Sequence, residues 1–452
     1  MDKGFPCRLP QDDALWTVVQ TETIYPAMET PLSSLNGQLY RVGPCPVRRN
    51  GSAPKHVFDG DGLIEKVTLK EGKVVETKRR LIATPQFLAE EQADQFLYRG
   101  AFGTAPHKSL RTLKNPLNTA LAVFRNDMYA LWEGGSPALI DMESLDFVRF
   151  ANFSGDDSSV GGYPFSLGLG KGIDTAFGLG GEAWCAHPVR DARNNVFVTL
   201  ACSYTTNETK LTFRELDETT GVVVRTHEVK LAGFVHVHSF AVDDDDIVFF
   251  APFLDFTFWP WARGRSLIEC VTQKPGCSRV VRVDRNLGMT YESMCSHLYA
   301  THIVKFHENT VWFTAADSLS CRAPRFFMCK GVFDEASNSL SVELLDADAE
   351  FPTLSPNGRF VAFAATMKGG FMNAWKVLDT WTGAKRTCNT PRAHMHGEPV
   401  WIDDFTFVGV TLGDDGTHVT TVSAAGSQVA TQRVPGLNPL GLHGLFLNSK
   451  KN

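Results

Sequence analysis

The sequence predicts an all-β protein of the β-propeller type, and three observations support this prediction. Short apolar or alternating segments dominate the chain, for example Val196–Leu200, Ile247–Phe250, Thr310–Phe313 and Phe360–Ala364. Turn-forming stretches rich in Asp, Asn and Gly separate these segments, and helical periodicity is sparse. Many such segments follow one another along 452 residues without a clean repeat of about 40 residues, which favours a propeller with degenerate blades over a sandwich.

The remaining elements fit this fold class. Leu81–Leu97 is the best candidate for a helical or irregular segment, and Asn115–Ala122 could form a single helical turn. The first and last segments of the chain both have the pattern of strands, which suits a blade that is closed by both ends. Because no linker rich in Pro, Gly or Ser interrupts the chain, we expect one domain over residues 1–452.

Composition excludes several classes of function. The net charge is -6 and no basic stripe is present, which argues against a nucleic-acid partner. Met1–Asp13 is polar and acidic, so it predicts neither a secretory signal nor a transit peptide, and no apolar run reaches the roughly 18 residues of a membrane-spanning helix. We therefore expect a cytoplasmic protein whose ten cysteines remain thiols.

Four histidines that are far apart in the sequence lie in distinctive local phrases and are the candidate metal ligands. In a propeller, the innermost strand of each blade faces the central axis, so one histidine per blade can converge there. Four neutral imidazoles leave two positions free on an octahedral ion; imidazole suits Fe, Zn, Cu and Ni, but zinc normally closes at four ligands. Ligand type alone does not choose the metal, but the pattern suggests a non-heme iron centre whose histidines are His187, His238, His302 and His443.

Three glutamates in equally distinctive phrases accompany the histidines: Glu133, Glu350 and Glu398. A metal-bound histidine usually donates its second N–H to a carboxylate, which fixes the tautomer and raises the basicity of the ring. We expect the glutamates to serve three of the four histidines in this way, and the fourth histidine to be held by another group.

Several motifs resemble those of the carotenoid cleavage oxygenases along nearly the whole chain. Asn36–Pro44 is similar to the start of that family, and Phe58–Leu63 to its most recognisable motif; Asn115–Thr119 and Trp132–Pro137 follow in the family order. The resemblance implies a seven-bladed propeller in which short helical and loop elements form a cap over an axial metal site. It also implies Fe(2+) on the four histidines, with the three glutamates behind them.

The resemblance also implies an activity, the cleavage by O2 of a C=C double bond of a carotenoid or apocarotenoid into aldehyde or ketone products. No protein partner is required for such a reaction. The alternatives on the same scaffold are a stilbene-cleaving oxygenase, a non-cleaving isomerase or hydrolase, and a metal-free propeller that binds a lipid. Stilbene-cleaving relatives carry a lysine just before the position of Glu133; Trp132 stands there in this chain, which favours a polyene.

The third histidine segment departs from the family pattern. It continues as Lys305–Asn309, where the family usually has Asn-Ala, an aromatic residue and two acids. His302 keeps the register, and His297 and His307 are the alternative third ligands. His236 lies one alternation before the second histidine and is an alternative there. This departure is the best support for the metal-free alternative.

An aromatic stretch between Pro252 and Arg265 predicts the mouth of a substrate tunnel. By analogy with family members, its aromatic side chains would contact a membrane interface peripherally. The alternative is that they belong to the core of a blade, because aromatic residues dominate cores too. The residues concerned are Phe253, Phe256, Phe258, Trp259 and Trp261.

Overall fold

The computed structural model describes most of the chain. The described residues are 21–24, 35–105, 113–151, 153, 182–205, 207–273, 278–295, 299–317, 325–334, 336–367, 372–388, 390, 393–424, 429–438 and 441–449.

One sheet joins the start and the end of the described chain. Its order is β1-β4-β3-β2-β33, and its strands are β1 (Thr21–Ile24), β2 (Gly37–Cys45), β3 (Asp61–Lys70), β4 (Lys73–Leu81) and β33 (His443–Asn448). The last strand pairs antiparallel with β2, with His443 opposite Val42 and Asn448 opposite Gly37. The first and last described strands therefore share one sheet, which agrees with the strand patterns predicted for the first and last segments.

Two antiparallel sheets follow along the chain. The first contains β5 (Ala120–Phe124), β6 (Asp127–Leu131), β7 (Ala138–Ile140) and β8 (Phe147–Phe150). The second contains β9 (Ala183–Trp184), β10 (Val189–Asp191), β11 (Val196–Tyr204), β12 (Glu208–Asp217) and β13 (Val223–Ala232), with both β9 and β10 paired to β11.

The largest sheet has eight strands and consists of two antiparallel halves. The first half contains β14 (Phe240–Val242), β15 (Asp246–Ala251), β18 (Arg279–Asp284) and β19 (Thr290–Met294). The second half contains β20 (Tyr299–His307), β21 (Thr310–Ala316), β22 (Phe326–Asp334) and β23 (Ser339–Ala347). A short parallel contact between Met294 and Ser339 joins the halves. A separate pair, β16 (Leu254–Phe256) and β17 (Val271–Gln273), lies in the connection between β15 and β18.

Two more antiparallel sheets complete the fold. One contains β24 (Ala349–Leu354), β25 (Phe360–Ala365), β26 (Ala374–Asp379) and β27 (Lys385–Cys388). The other contains β28 (Ala393–His396), β29 (Val400–Trp401), β30 (Thr406–Gly413), β31 (Gly416–Ser423) and β32 (Val429–Arg433). The four apolar segments that the sequence assigned to strands are parts of β11, β15, β21 and β25.

The described helices are short. They are a 3-10 turn (Val57–Asp59), α1 (Pro85–Ala93), α2 (Phe258–Ala262) and α3 (Leu267–Cys270). The first α-helix lies inside the predicted Leu81–Leu97 segment. It begins where the Thr84 side chain accepts a hydrogen bond from the N–H of Phe87 at 3.0 Å, with Pro85 at its first position.

The prediction of a helical turn within Asn115–Ala122 is wrong, because β5 begins at Ala120 and the residues before it are not helical. Tertiary hydrogen bonds hold the segment instead. The Asn118 amide donates to the carbonyls of Phe58 and Gly60 at 2.9 and 2.7 Å. Such partners, about 60 residues away, override a weak local helical preference.

The core lies between successive sheets. Phe213 of one sheet meets Phe240 and Phe249 of the next, each with a ring-centroid distance of 5.3 Å. Comparable apolar clusters lie between each of the remaining pairs of consecutive sheets and between the halves of the eight-stranded sheet. A further cluster around Leu39 and Val408 joins the last sheet back to the first. The sheets therefore follow one another in a closed circuit, the arrangement of a β-propeller.

Candidate metal centre

The four predicted histidines come from four separate sheets or half-sheets. His187 lies between β9 and β10, His238 lies two residues before β14, His302 is in β20, and His443 is the first residue of β33. Each of these strands is at or beside the end of its sheet. A circular arrangement of sheets turns these ends toward one central region, and so histidines up to 256 positions apart can meet.

The structure brings the four imidazole rings together. The ring centroid of His187 is 4.7 Å from that of His238, 4.9 Å from that of His302 and 4.6 Å from that of His443. The ring centroid of His302 is 4.7 Å from that of His238 and 5.0 Å from that of His443. The Nε2 atoms of His238 and His302 are 3.1 Å apart, so both point into the space between the rings.

This cluster has the chemistry of a metal site. One nitrogen from each of His187, His238 and His302 lies within 4.8 Å of the others. The Nε2 atom of His187 is buried and has no hydrogen-bond partner. A buried polar atom without a partner is costly unless something binds it, and the lone pair of a neutral imidazole is a good ligand for a transition metal. The donor set therefore fits a metal ion.

Each of the three predicted glutamates contacts one histidine. The Nδ1 atom of His238 is in close contact with Oε1 of Glu133. The Nδ1 atom of His302 is 3.2 Å from Oε1 of Glu350, and that of His443 is 2.7 Å from Oε1 of Glu398. With Nδ1 beside a carboxylate, each ring leaves Nε2 free to bind a metal ion, and the Nε2 atoms of His238 and His302 already face each other.

Burial and charge oppose each other in these pairs. Burial alone would raise the pKa of Glu133, but the charge of His238 and its hydrogen bond outweigh this effect and lower the pKa to about 2. Burial lowers the pKa of His238, and the Glu133 carboxylate more than compensates, so that the pKa is raised. Both shifts favour an ionised carboxylate behind the imidazole.

The surroundings of His187 differ from those of the other three histidines. Burial, followed by the nearby His443, His238 and His302, holds its pKa well below the usual range, so its ring is neutral. Among the described residues, no carboxylate contacts this ring. Its backbone N–H instead donates to Sγ of Cys185 at 3.4 Å. Burial raises the pKa of Cys185 well above its usual range, so that side chain is a thiol.

Two of the alternative ligands lie outside the group of four converging rings, although Nε2 of His236 is 3.9 Å from Oε2 of Glu133. The Nδ1 atom of His236 is 2.8 Å from the Tyr299 hydroxyl, and the centroid of its ring is 6.3 Å from that of His238. His307 lies at the far end of β20 with 52% of its side chain exposed, beside Glu308. The third alternative, His297, lies outside the described residues. The pairing of β20 with β21 is irregular on both sides of His302, with register shifts between Ala300 and His302 and between Ile303 and Lys305.

The aromatic stretch is divided between packed and exposed side chains. The Phe256 ring packs on Phe234 at 5.5 Å, and the Arg99 guanidinium lies over Trp261 at 4.2 Å. The Arg279 guanidinium lies 5.0 Å from the centroid of the Phe253 ring. Trp259 is 68% exposed. Phe258 belongs to α2, but its side chain lies outside the described part of the structure.

Sequence reasoning missed three residues that touch the cluster. The Phe351 ring packs against His302 and His443, with centroid distances of 6.3 and 5.6 Å. Cys185 and Ser239 connect the backbones of the histidine segments. The only signal was adjacency, because each residue lies within two positions of a predicted site residue.

The fold and the clustered imidazoles define a class of protein, the β-propellers with a candidate metal site at the centre. The family model described as retinal pigment epithelial membrane protein (RPE65) matches residues 29–448. The chain therefore belongs to this family, that of the carotenoid cleavage oxygenases, as its motifs predict.

Curated relatives match more limited parts of the chain. The apocarotenoid-15,15'-oxygenase of a Synechocystis species is 28% identical over 262 residues, which are 56% of this chain and 50% of that protein. Carotenoid cleavage dioxygenase 7 of Arabidopsis thaliana is 24% identical over 53% of this chain and 44% of its own length. These alignments span about half the length of the curated relatives.

Solved structures match nearly the whole chain. A chimera of apocarotenoid oxygenase and RPE65 has a TM-score of 0.81 at 20% identity, covering 97% of this chain and 98% of its own. Cobalt-substituted Synechocystis apocarotenoid oxygenase has a TM-score of 0.82 at 20% identity, with the same coverage. At this identity the likeness establishes the fold. In the described part of the chain, no helix has the length and apolar character needed to cross a membrane.

Proposed function

We propose that this protein is a non-heme iron oxygenase that uses O2 to cleave a C=C double bond of a carotenoid or apocarotenoid into two carbonyl fragments. The observation that carries the proposal is the convergence of His187, His238, His302 and His443, with glutamates holding three of the rings. Ferrous iron bound there would supply the activation of O2, since four imidazoles leave two octahedral positions free.

The proposed fold has seven blades in one domain over residues 1–452. The eight-stranded sheet would supply two of them, because its halves share only the contact between Met294 and Ser339. Apolar cores support this count. One cluster lies between those two halves, and the other six lie between successive sheets. A cap of short helices and loops over the axis is part of the same proposal.

The role of the protein's own residues is to orient the imidazoles and keep the open positions free. Glu398 accepts from His443 and also from the backbone N–H of Gly444, at 2.7 Å in each case. Its carboxylate is therefore fixed by two donors and cannot swing into the cluster. Glu133 and Glu350 also lie beside the Nδ1 atoms of their histidines, on the side of each ring that faces away from the proposed metal position.

The substrate is proposed to be apolar and conjugated. Trp132, the residue that precedes Glu133, is 7% exposed and offers an aromatic surface in place of a cation. A lysine at this point would suit a phenol. A peripheral contact of the protein with a membrane is proposed through the exposed Trp259, which the exposed Arg263 and Arg265 follow closely.

Product analysis tests this proposal. The protein would be loaded with Fe(II) and incubated under air with a long-chain apocarotenal in detergent, and the products identified by mass spectrometry. We expect two shorter carbonyl compounds from the wild type and none from His238→Ala. The exposed His307→Ala is the matched control and should behave as the wild type. Unchanged or merely isomerised substrate, with iron confirmed in the protein, would contradict the proposal.

A further inference from the structure

We propose that Cys185 is a positioning residue for the metal centre, which fixes the backbone of His187 against that of His238. This inference rests on the proposed function, because it assumes that the histidines hold a metal ion. It assigns to a thiol the task that a glutamate performs for each of the other three histidines.

The thiol contacts both histidine segments. Its Sγ atom donates to the His238 carbonyl oxygen at 3.1 Å and accepts from the His187 N–H at 3.4 Å. Cys185 itself is held in place, because its backbone N–H donates to the carbonyl of Leu200 on β11 at 2.9 Å, and it is 4% exposed. One buried side chain thus connects two segments that are 51 positions apart in the sequence.

His187 needs such a support more than its neighbours do. The other three rings each have a carboxylate at Nδ1, whereas His187 has none among the described residues. Its ring lies 4.6 to 4.9 Å from all three others, so a small rotation would move its Nε2 atom out of the shared space. Because no described carboxylate anchors the His187 ring, its position depends on how firmly its backbone is fixed.

A second side chain makes the same kind of connection at the next boundary. The Ser239 hydroxyl donates to the Thr301 carbonyl at 3.2 Å and accepts from the N–H of Ile303 at 2.7 Å. These two residues flank His302, so Ser239 fixes the third histidine segment against the second. Cys185 and Ser239 together connect the backbones of three histidine segments in series.

Substitutions at Cys185 separate hydrogen bonding from packing. Cys185→Ala leaves the His238 carbonyl and the His187 N–H without their partner, and an unsatisfied buried group drives local rearrangement. Cys185→Ser keeps a donor and an acceptor of nearly the same shape. Cys202→Ala is the matched control, because Cys202 is also 4% exposed and belongs to the same apolar cluster, but has no hydrogen bond to a histidine segment among those described.

The test is an anaerobic titration of the full-length metal-free proteins with Co(II), followed by the visible absorption of the bound ion. This readout reports the affinity and the ligand geometry without catalysis. We expect Cys185→Ala to bind Co(II) about tenfold more weakly, with a shifted spectrum, which is the lower end of the effect typical for groups that orient metal ligands. Cys185→Ser should recover most of the affinity, and Cys202→Ala should stay within about twofold of the wild type.

Equal affinity and spectrum in Cys185→Ala and wild type would overturn the inference while leaving the proposed metal centre intact. A loss of the same size in Cys202→Ala would also overturn it, because the effect would then be one of packing. If the wild type itself bound no Co(II), both the inference and the proposed function would fail. Thermal unfolding of each metal-free variant, followed by circular dichroism, shows whether a loss of binding reflects loss of the fold.

Discussion

At the scale of single residues, the contact of Glu398 with His443 shows how the chain orients an imidazole. The carboxylate accepts from the ring and from the backbone N–H of Gly444, so one anion fixes both a side chain and the start of a strand. Glu398 is 5% exposed, and a buried charge is retained at low cost only when its oxygen atoms are satisfied. Its geometry therefore indicates a structural role next to the metal site.

Replacing Glu398 with Ala should weaken Fe(II) binding by roughly 10–100-fold, since His443 would lose the acceptor that sets its tautomer. The measurement is an anaerobic Fe(II) titration with a competing chelator. Glu308→Ala is the control, because the Glu308 side chain is 85% exposed and lies far from the cluster along β20. Unchanged affinity in the Glu398 variant would show that the carboxylate does not support the metal site.

His396 predicts a dependence of stability on pH. The residue is fully buried, its Nδ1 atom has no hydrogen-bond partner in the described part of the chain, and burial lowers its pKa from 6.5 to about 4. Between these values the unfolded chain binds a proton that the folded chain does not. Stability therefore falls as the pH decreases from 6.5 toward 4, and the contribution of this group between pH 7 and pH 5 is about 2 kcal/mol.

The check is the free energy of unfolding in urea at pH 7 and pH 5 for wild type and His396→Gln. Glutamine can still bond to Thr390, the partner of the His396 Nε2 atom, but it does not titrate. The variant should lose less stability than the wild type on acidification. Equal losses in the two proteins would mean that His396 does not govern this pH range.

At the scale of elements, the close approach of two strands positions the segment that carries Glu398. Trp375 of β26 donates through Nε1 to the Gly397 carbonyl at 2.8 Å. Gly409 of β30 lies against the indole, and a Cβ atom there would overlap the ring and come within 3.0 Å of the Glu398 carbonyl. The absence of a side chain at Gly409 is thus what allows the indole to reach the backbone beside the site.

Gly409→Ala should destabilise the protein by about 1–3 kcal/mol, because the added methyl group overpacks a rigid core. It should also weaken metal binding, since Trp375 and the Gly397 segment would have to move. Denaturant unfolding and a Co(II) titration measure the two effects. Thr406→Ala, at the partly exposed start of the same strand, serves as the control. Normal metal binding in Gly409→Ala would show that the indole does not position Glu398.

At the scale of the whole molecule, the pairing of β33 with β2 closes the circuit of sheets. This pairing buries Leu39 and Val42 and also places His443 in the centre. The fold and the proposed metal site therefore share one closing contact. Loss of the contact would remove an apolar interface on each side of the first sheet.

A chain that ends at Leu442 should lose its cooperative unfolding transition, because β2 would have an unpaired edge beside an exposed core. Near-ultraviolet circular dichroism and urea unfolding would measure this loss. Two controls separate the causes. Removal of the three residues after Ser449 should have no effect, and His443→Ala should lose metal binding but keep the fold. A truncated chain that unfolds like the wild type would show that the closure is dispensable.

The parts of this structure that could be predicted from sequence are those that depend on neighbouring residues in the chain. The short apolar runs in Thr310–Phe313 and Phe360–Ala364 indicate strands, and the motifs around His187 and Glu398 single out the candidate site residues. The role proposed for Cys185 could not be predicted, because its partner is the backbone of a residue 53 positions away. The helical turn predicted within Asn115–Ala122 is wrong for a similar reason, because that segment is held by hydrogen bonds to the distant Phe58 and Gly60.

The resemblance to the family pointed to His302 as the third ligand, but the sequence alone did not exclude the nearby His297 and His307. The pairing of β20 with β21 is irregular around His302, and such irregularities depend on the partner strand. The aromatic stretch was ambiguous in a similar way. Phe256 packs on a residue from another segment, whereas Trp259 projects from the surface. The order of residues within the stretch does not show which aromatic side chain is packed and which is exposed.

The most direct test of the central claim is a crystal structure of the Fe(II)-loaded protein with anomalous diffraction data collected on both sides of the iron absorption edge. We expect a single iron peak between His187, His238, His302 and His443, at about 2.0–2.3 Å from one nitrogen of each ring, with no carboxylate oxygen bound. An iron peak elsewhere, or one bound directly by Glu133, Glu350 or Glu398, would contradict it.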